Sequence, residues 1–361
     1  MNSVRILGVI LVVSGATAAF ADCPTKDLNA GPTSPLHGMP IYDQDGTGSC
    51  YAHGASQLVT YELNQQKGNS ADNEVNPIFA AWVEKYEDSL LRSNGVNGGE
   101  SVEVIKSLKS RGVCSPKSVA KGIHILKYAC AKDITDAQLI HLLELLYDNY
   151  SSLSFDPLQR VINKVQEVNK KTPWVSDCQI DTVAGLAHLN GLMNIPATQI
   201  LSTLFSDCVR IPMASLPDPQ HYGWGDDEGI LKELDLSLDH DKPASIAVCA
   251  EIFDDPKTEL LHRSPPLFRG SNGNLPSKCG NHEVVVTARA IVGGSCKYLI
   301  RNSWGALWKS PGGQACACIL NSGEYKDVCT AADEVREYVG CWFDKDFVGK
   351  NITDLTTFYK H

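Results

Sequence analysis

Three short stretches of this sequence hold residues able to do chemistry together. The first is Gln44-Asp-Gly-Thr-Gly-Ser-Cys50-Tyr-Ala, where a cysteine follows a glycine-rich loop and opens a run of helical periodicity. At a helix N-terminus the unpaired N–H groups and partial positive charge favour thiolate over thiol, and glycines let backbone approach a ligand closely. Gln44 stands six residues earlier, so its amide can donate to a developing oxyanion alongside the Cys50 N–H. The second stretch is Cys279-Gly-Asn-His282-Glu-Val-Val-Val and the third is Leu299-Ile-Arg-Asn302-Ser-Trp304-Gly305. Residues 283–292 and 297–304 read as two strands joined by Gly293-Gly-Ser295, a hairpin signal. The midpoint of 282 and 302 falls close to that turn, so antiparallel pairing brings the two side chains together at the open end. Asn302 can accept from one imidazole nitrogen and leave the other to face Cys50 as a base. Trp304 can cover that hydrogen bond from water. Cys50 alone also reads as half of a disulfide; it is His282 and Asn302 on one hairpin that favour a nucleophile.

The elements that position these residues follow from periodicity. Ala52, Ala55, Val59 and Leu63 repeat at helical spacing until Gly68, and helices are also expected over 76–91 and 101–111, the latter stopped by Gly112. Residues 113–131 read as extended. Leucine-rich stripes over about 133–207 predict an all-helical block, with Cys178 and Cys208 placed to staple its last two helices. A helix over 230–238, a buried strand over 244–253, the hairpin and short strands in 305–361 complete an α+β order.

The 361 residues are 43% hydrophobic and 20% charged, a globular composition for one large or two modest domains. Thirty-two Lys and Arg against 42 Asp and Glu give a net charge of −10, which argues against nucleic acid as a partner and against docking on anionic membrane. Arg5, an apolar run over 6–13 and the small residues ending Ala19-Phe20-Ala21 read as a signal peptide over 1–21. The run is short for a membrane span. The expected location is therefore secreted or periplasmic. In such an oxidising compartment most of the 13 cysteines should pair, and an odd number leaves one over. With Cys50 free, twelve remain for bridges; Cys316, Cys318, Cys329 and Cys341 would alternatively suit a zinc site. Otherwise no metal or cofactor is expected. Asn149-Tyr-Ser and Asn351-Ile-Thr match the glycosylation pattern.

The motifs together resemble the papain-like cysteine proteases. Thr47-Gly-Ser-Cys50-Tyr51 matches the family's nucleophile signature, Gln44 its oxyanion glutamine, His282 its histidine, and Asn302-Ser-Trp304-Gly305 its Asn-Ser-Trp-Gly. Asn97-Gly98-Gly99 matches the loop whose last glycine pairs with substrate backbone, so Gly98 and Gly99 are the implied substrate-binding residues. The strand Pro243-Ala-Ser-Ile-Ala-Val also looks like the family's. The likeness covers about 40–131 and 225–305. It implies a two-lobe α+β fold over 22–361, with a helical lobe, an antiparallel β lobe and the helical insertion beside the cleft. The implied activity is peptide-bond hydrolysis through a Cys-His-Asn triad and a thioester acyl-enzyme, on peptide or protein substrates.

Departures from the family are informative. Thr47 and Val96 stand where the family has a disulfide pair, so the whole bridge is missing. Tyr51 replaces the usual Trp. His53, one helical turn after Cys50, could perturb the thiolate, and Glu283 stands where a small residue is usual and could raise the imidazolium pKa. Cys50 and His282 are 232 residues apart, against roughly 130–150 in the family, and the helical block accounts for most of the excess. That block could serve partner binding or self-inhibition. The family's long N-terminal pro-segment has no counterpart in the 28 residues between Asp22 and Cys50. The competing reading is a catalytically silent papain-like protein that binds peptide or protein partners.

Overall fold

The computed structural model describes residues 23–44, 49–84, 98–115, 118, 208, 210–223, 227–253, 281–310 and 313–361. The expected signal peptide over 1–21, residues 45–48, Asn97 and the expected helical block over 133–207 lie outside the described residues.

Helix α1 spans Cys50–Lys67 and ends at Gly68, whose N–H closes on Asn64 O. It is buried on nearly every side between Tyr51 and Asn64, as a helix enclosed by other layers must be. Helix α2 (Pro77–Trp82) starts at Asn76, whose side-chain oxygen accepts from the N–H groups of Ile78 and Phe79 at 3.0 Å each. Val83 continues in helical geometry, and the expected continuation over 85–91 lies outside the described residues. Helix α3 (Ser101–Arg111) stops at Gly112, where φ is 83° and a Cβ would meet Ile211 O at 2.7 Å. Both α2 and α3 pack on α1, which in turn lies on the sheet.

Strand β1 is Lys26–Asp27, and β2 (Val113–Cys114) pairs with β3 (Arg210–Ile211) in a small separate ladder. The main sheet continues with β4 (Gln220–Gly223), β5 (Ala244–Cys249), β6 (Asn281–Val292), β7 (Ser295–Arg301), β8 (Cys316–Leu320), β9 (Tyr325–Lys326), β10 (Val335–Asp344) and β11 (Ile352–Thr357). Among the described residues its order is β4-β11-β5-β6-β7-β10-β8-β9, with β1 also on β6, and all its pairings are antiparallel. Helices α4 (Asp227–Asp239) and α5 (Lys345–Gly349) contribute Ile230, Leu234, Leu238 and Val348 to the core formed with Ile246, Val248, Val284, Val286, Tyr298 and Ile300. Burying each such side chain contributes about 1.5–3 kcal/mol. The architecture is α+β, as the element order predicts.

Several details differ from the sequence reading. The strand expected over 244–253 stops at Cys249; residues Ala250–Phe253 form a 3-10 turn instead. The tail holds a ten-residue strand, β10, inserted between β7 and β8. Cys208 bonds Cys114, not Cys178, because the β2–β3 ladder brings their Cα atoms to 5.3 Å. Cys316–Cys341 and Cys318–Cys329 are disulfides, so those four sulfurs are not zinc ligands. Cys23–Cys296 ties the N-terminal segment to β7. Asn351 is fully buried, its amide donating to Phe347 O, so the folded chain cannot be glycosylated there. Among the described residues, no helix is long and apolar enough to cross a membrane.

Candidate active site

The β6–β7 hairpin carries the histidine and the asparagine. Its turn residues Gly293 and Gly294 have φ of 64° and 85°, the left-handed conformations that a two-residue hairpin demands. A bulge at Thr287 slips the register by one residue in the direction that brings His282 toward Asn302. His282 Nε2 lies 2.8 Å from Asn302 Oδ1. The same oxygen accepts from the Ser303 N–H at 2.7 Å. An atom that only accepts fixes the imidazole tautomer: Nε2 carries the hydrogen and Nδ1 is the basic nitrogen. Trp304 stacks on the ring at 4.8 Å and 26°, and Phe253 meets it edge-on at 5.7 Å. The 3-10 turn after β5 is what places Phe253 there. His282 and Asn302 are each 4% exposed. Burial pulls the His282 pKa down to about 4, against the opposing hydrogen bond to Asn302.

Gln44 is delivered by backbone pairing with the same motif. Its N–H donates to Ser303 O at 2.8 Å, the Gly305 N–H donates to Tyr42 O at 3.0 Å, and Asp43 bridges Trp304. Ser303 Oγ donates to Gln44 Oε1, so Nε2 is the end of that amide able to serve an oxyanion. Gly305 has φ of 90°, and a Cβ there would lie 2.8 Å from Asp43 Oδ2. The approach to Gln44 is anchored by Arg301, whose buried guanidinium donates to Met39 O and Pro40 O at 2.7 Å each.

Cys50 is the first residue of α1, half-buried, and the free cysteine among the described residues. The N–H groups of Glu283, Tyr51 and Cys50 itself hydrogen-bond its sulfur and favour the thiolate. Burial outweighs them, with Glu283 adding to it, and pushes the thiol up to about 12. The helix N-terminus alone therefore does not ionise this cysteine. His53 turns toward Ser49: its Nδ1 is 2.9 Å from Ser49 O and its ring meets Tyr42 edge-on. It holds the first turn of the helix. Burial holds its pKa near 4, with the carbonyl contact opposing and the nearby His282 adding to the depression.

Gly98 is exposed with φ of 68°, and Gly99 lies flat on Tyr51, where a Cβ would fall 2.5 Å from the ring. Gly99 thus sits beside the residue that follows Cys50. Glu283 does not act on the imidazole as its neighbouring position predicts. Its carboxyl joins Ser245 and Ser101, and burial, then the charge of Asp354, push it up to about 8. Ser303 was legible within the Asn-Ser-Trp-Gly motif. Phe253, Ser101 and Ser245 carried no local signal.

No protein-family model and no curated protein sequence matches the chain. Solved structures similar to it include xylellain, a cysteine protease from Xylella fastidiosa, at 15% identity over 94% of this chain and 88% of that one, with a TM-score of 0.41. Digestive procathepsin L 3 of Tenebrio molitor larval midgut is another, at 14% identity over 90% of this chain and 71% of that one, with a TM-score of 0.36.

Proposed function

We propose that this chain is an exported papain-like cysteine peptidase. The observation that carries the reading is the imidazole of His282, fixed through Nε2 by Asn302 under Trp304, with the free Cys50 held against the N–H of the very next residue. Nine other described cysteines are oxidised, so a free thiol at this one place calls for a chemical reason. Cys50 attacks the scissile carbonyl as a thiolate, and the oxyanion is held by the Gln44 amide and the Cys50 N–H. His282 protonates the leaving amine to give a thioester, then takes a proton from the water that hydrolyses it. Asn302 orients the imidazole, Trp304 keeps water from their bond, and Gly98 and Gly99 receive substrate backbone. Disulfides suit the secreted or periplasmic location that the signal-peptide reading implies. We assign the block over 133–207 to partner binding or self-inhibition; unchanged activity and partner binding after its deletion would exclude that role.

The desolvated site favours one alternative, a silent scaffold that binds peptide. Alkylation separates the two. An ordinary thiol hardly reacts with iodoacetamide at about pH 6. Rapid modification of Cys50 that disappears in His282→Ala supports the peptidase; an unreactive Cys50 in folded protein supports the silent scaffold.

A further inference from the structure

Glu283 follows His282 but faces the other way. Successive side chains on a strand point to opposite faces. With His282 turned toward Phe253 and Trp304, the Glu283 carboxyl enters the interface of β5 and β6 with the start of α1 and is 6% exposed. There Ser245 Oγ donates to Glu283 Oε1 at 2.8 Å. Ser101, through its hydroxyl and its N–H, hydrogen-bonds the same carboxyl. Gly54 of α1 makes the room: a Cβ there would lie 2.4 Å from Ser245 Oγ and 3.1 Å from Ser101 Oγ.

Among the described residues no cation faces this carboxyl, and a buried carboxyl without a positive partner favours its protonated form. The Ser101 hydroxyl also donates to Tyr51 O at 2.8 Å, which ties the carboxyl's neighbour to the start of α1. The charged and titratable groups facing it point the same way. Cys50 from α1 and Asp354 from β11 both become negative on ionising, and His282 on its own strand faces away. The hydroxyls of Ser101 and Ser245 and the Ser101 N–H, at the start of α3, are the influences on the other side.

We propose, resting on the peptidase reading above, that Glu283 is a positioning residue that works as an uncharged acid, tying the Cys50–Tyr51 turn to Ser101 and Ser245, and that loss of its proton silences Cys50 from the alkaline side. An ionised Glu283 places a second negative charge beside the thiolate, and like charges in a dry site disfavour one another. The direction of its titration, raised by burial and Asp354, agrees with this.

The test is the rate of Cys50 alkylation by iodoacetamide in wild type and Glu283→Gln, expressed as the ratio of rates at about pH 9 and about pH 7. Glutamine keeps the shape and both hydrogen bonds without a titrating proton. Wild type should lose rate as the pH rises through about 8. In Glu283→Gln the ratio should be about tenfold higher. Ser245→Ala removes a donor that favours the charged carboxyl, so its loss of rate should move to higher pH; this variant decides if Glu283→Gln does not fold. Profiles identical to wild type, or a shift to lower pH in Ser245→Ala, overturn the proposal. If Cys50 reacts in a His282-dependent way while both profiles stay unchanged, only this inference fails. If Cys50 reacts at no pH in folded protein, the peptidase reading fails and takes this inference with it.

Discussion

Asn302→Ala removes one acceptor and strands two buried donors, the Nε2–H of His282 and the N–H of Ser303. The bond to His282 matters most when the imidazole is charged. A hydrogen bond to a charged group contributes about 1.5–3 kcal/mol, and each 1.36 kcal/mol of barrier is tenfold in rate, so kcat/KM should fall roughly 10- to 150-fold. Asn302 touches imidazole and not substrate, so the loss belongs to kcat, with KM little changed. The same bond is what opposes burial in setting the His282 pKa. Its removal lowers that pKa further, and alkylation of Cys50 at about pH 6 should slow alongside kcat. Leaving buried donors unpaired also costs about 1–3 kcal/mol of stability, so the comparison is made well below the thermal midpoint of the variant. Steady-state kinetics on a fluorogenic peptide, alkylation rates and thermal unfolding together give the answer. A folded Asn302→Ala protein with wild-type kcat and wild-type alkylation would show that Asn302 does not orient the histidine.

Gln44→Ala should lower kcat by roughly 10²–10³, the effect of losing one oxyanion donor, while leaving alkylation by iodoacetamide nearly unchanged, since that reaction forms no oxyanion. Equal losses in both assays would make Gln44 a structural residue. Gly305→Ala forces a side chain into a left-handed conformation, at about 1–2 kcal/mol, and drives it against Asp43. Thermal midpoint and kcat should drop together, because Gln44 rides on the segment that Asp43 pairs; an unaltered midpoint would contradict this packing.

Local signals carried much of this molecule, and their failures share a cause. Gly68 and Gly112 ended helices, and Gly293-Gly294 set a hairpin, because each residue's own backbone conformation does the work. The His282–Asn302 pair followed from that turn and from arithmetic along two strands. Phe253 did not follow, since the end of β5 depends on what the chain meets there and not on its β-branched run. Proximity in sequence suggests Cys178 for Cys208, whereas a two-residue ladder with Cys114 across 94 residues decides it. Glu283 was placed beside the imidazole because it is the next residue, although on a strand the next residue is the one that faces away. The block over 133–207 lies outside the described residues.

If the chain is the peptidase proposed above, its site is buried and yet its chemistry needs two charges. Burial moves Cys50 up and His282 down, so neither ionises alone near neutral pH. Transfer of the thiol proton to His282 Nδ1 creates both charges at once, and each offsets the desolvation of the other. Three N–H groups at the sulfur and Asn302 at Nε2 are arranged to stabilise that charged form. The titration then belongs to the pair and not to either residue. A third charge in the same wall would upset the balance, and Glu283 is the acid placed to supply it. Burial and the neighbouring Asp354 keep that carboxyl protonated, against the two serines, which position it and favour its charged form. On this account the reactivity of Cys50 depends on a proton that His282 gains and on one that Glu283 keeps.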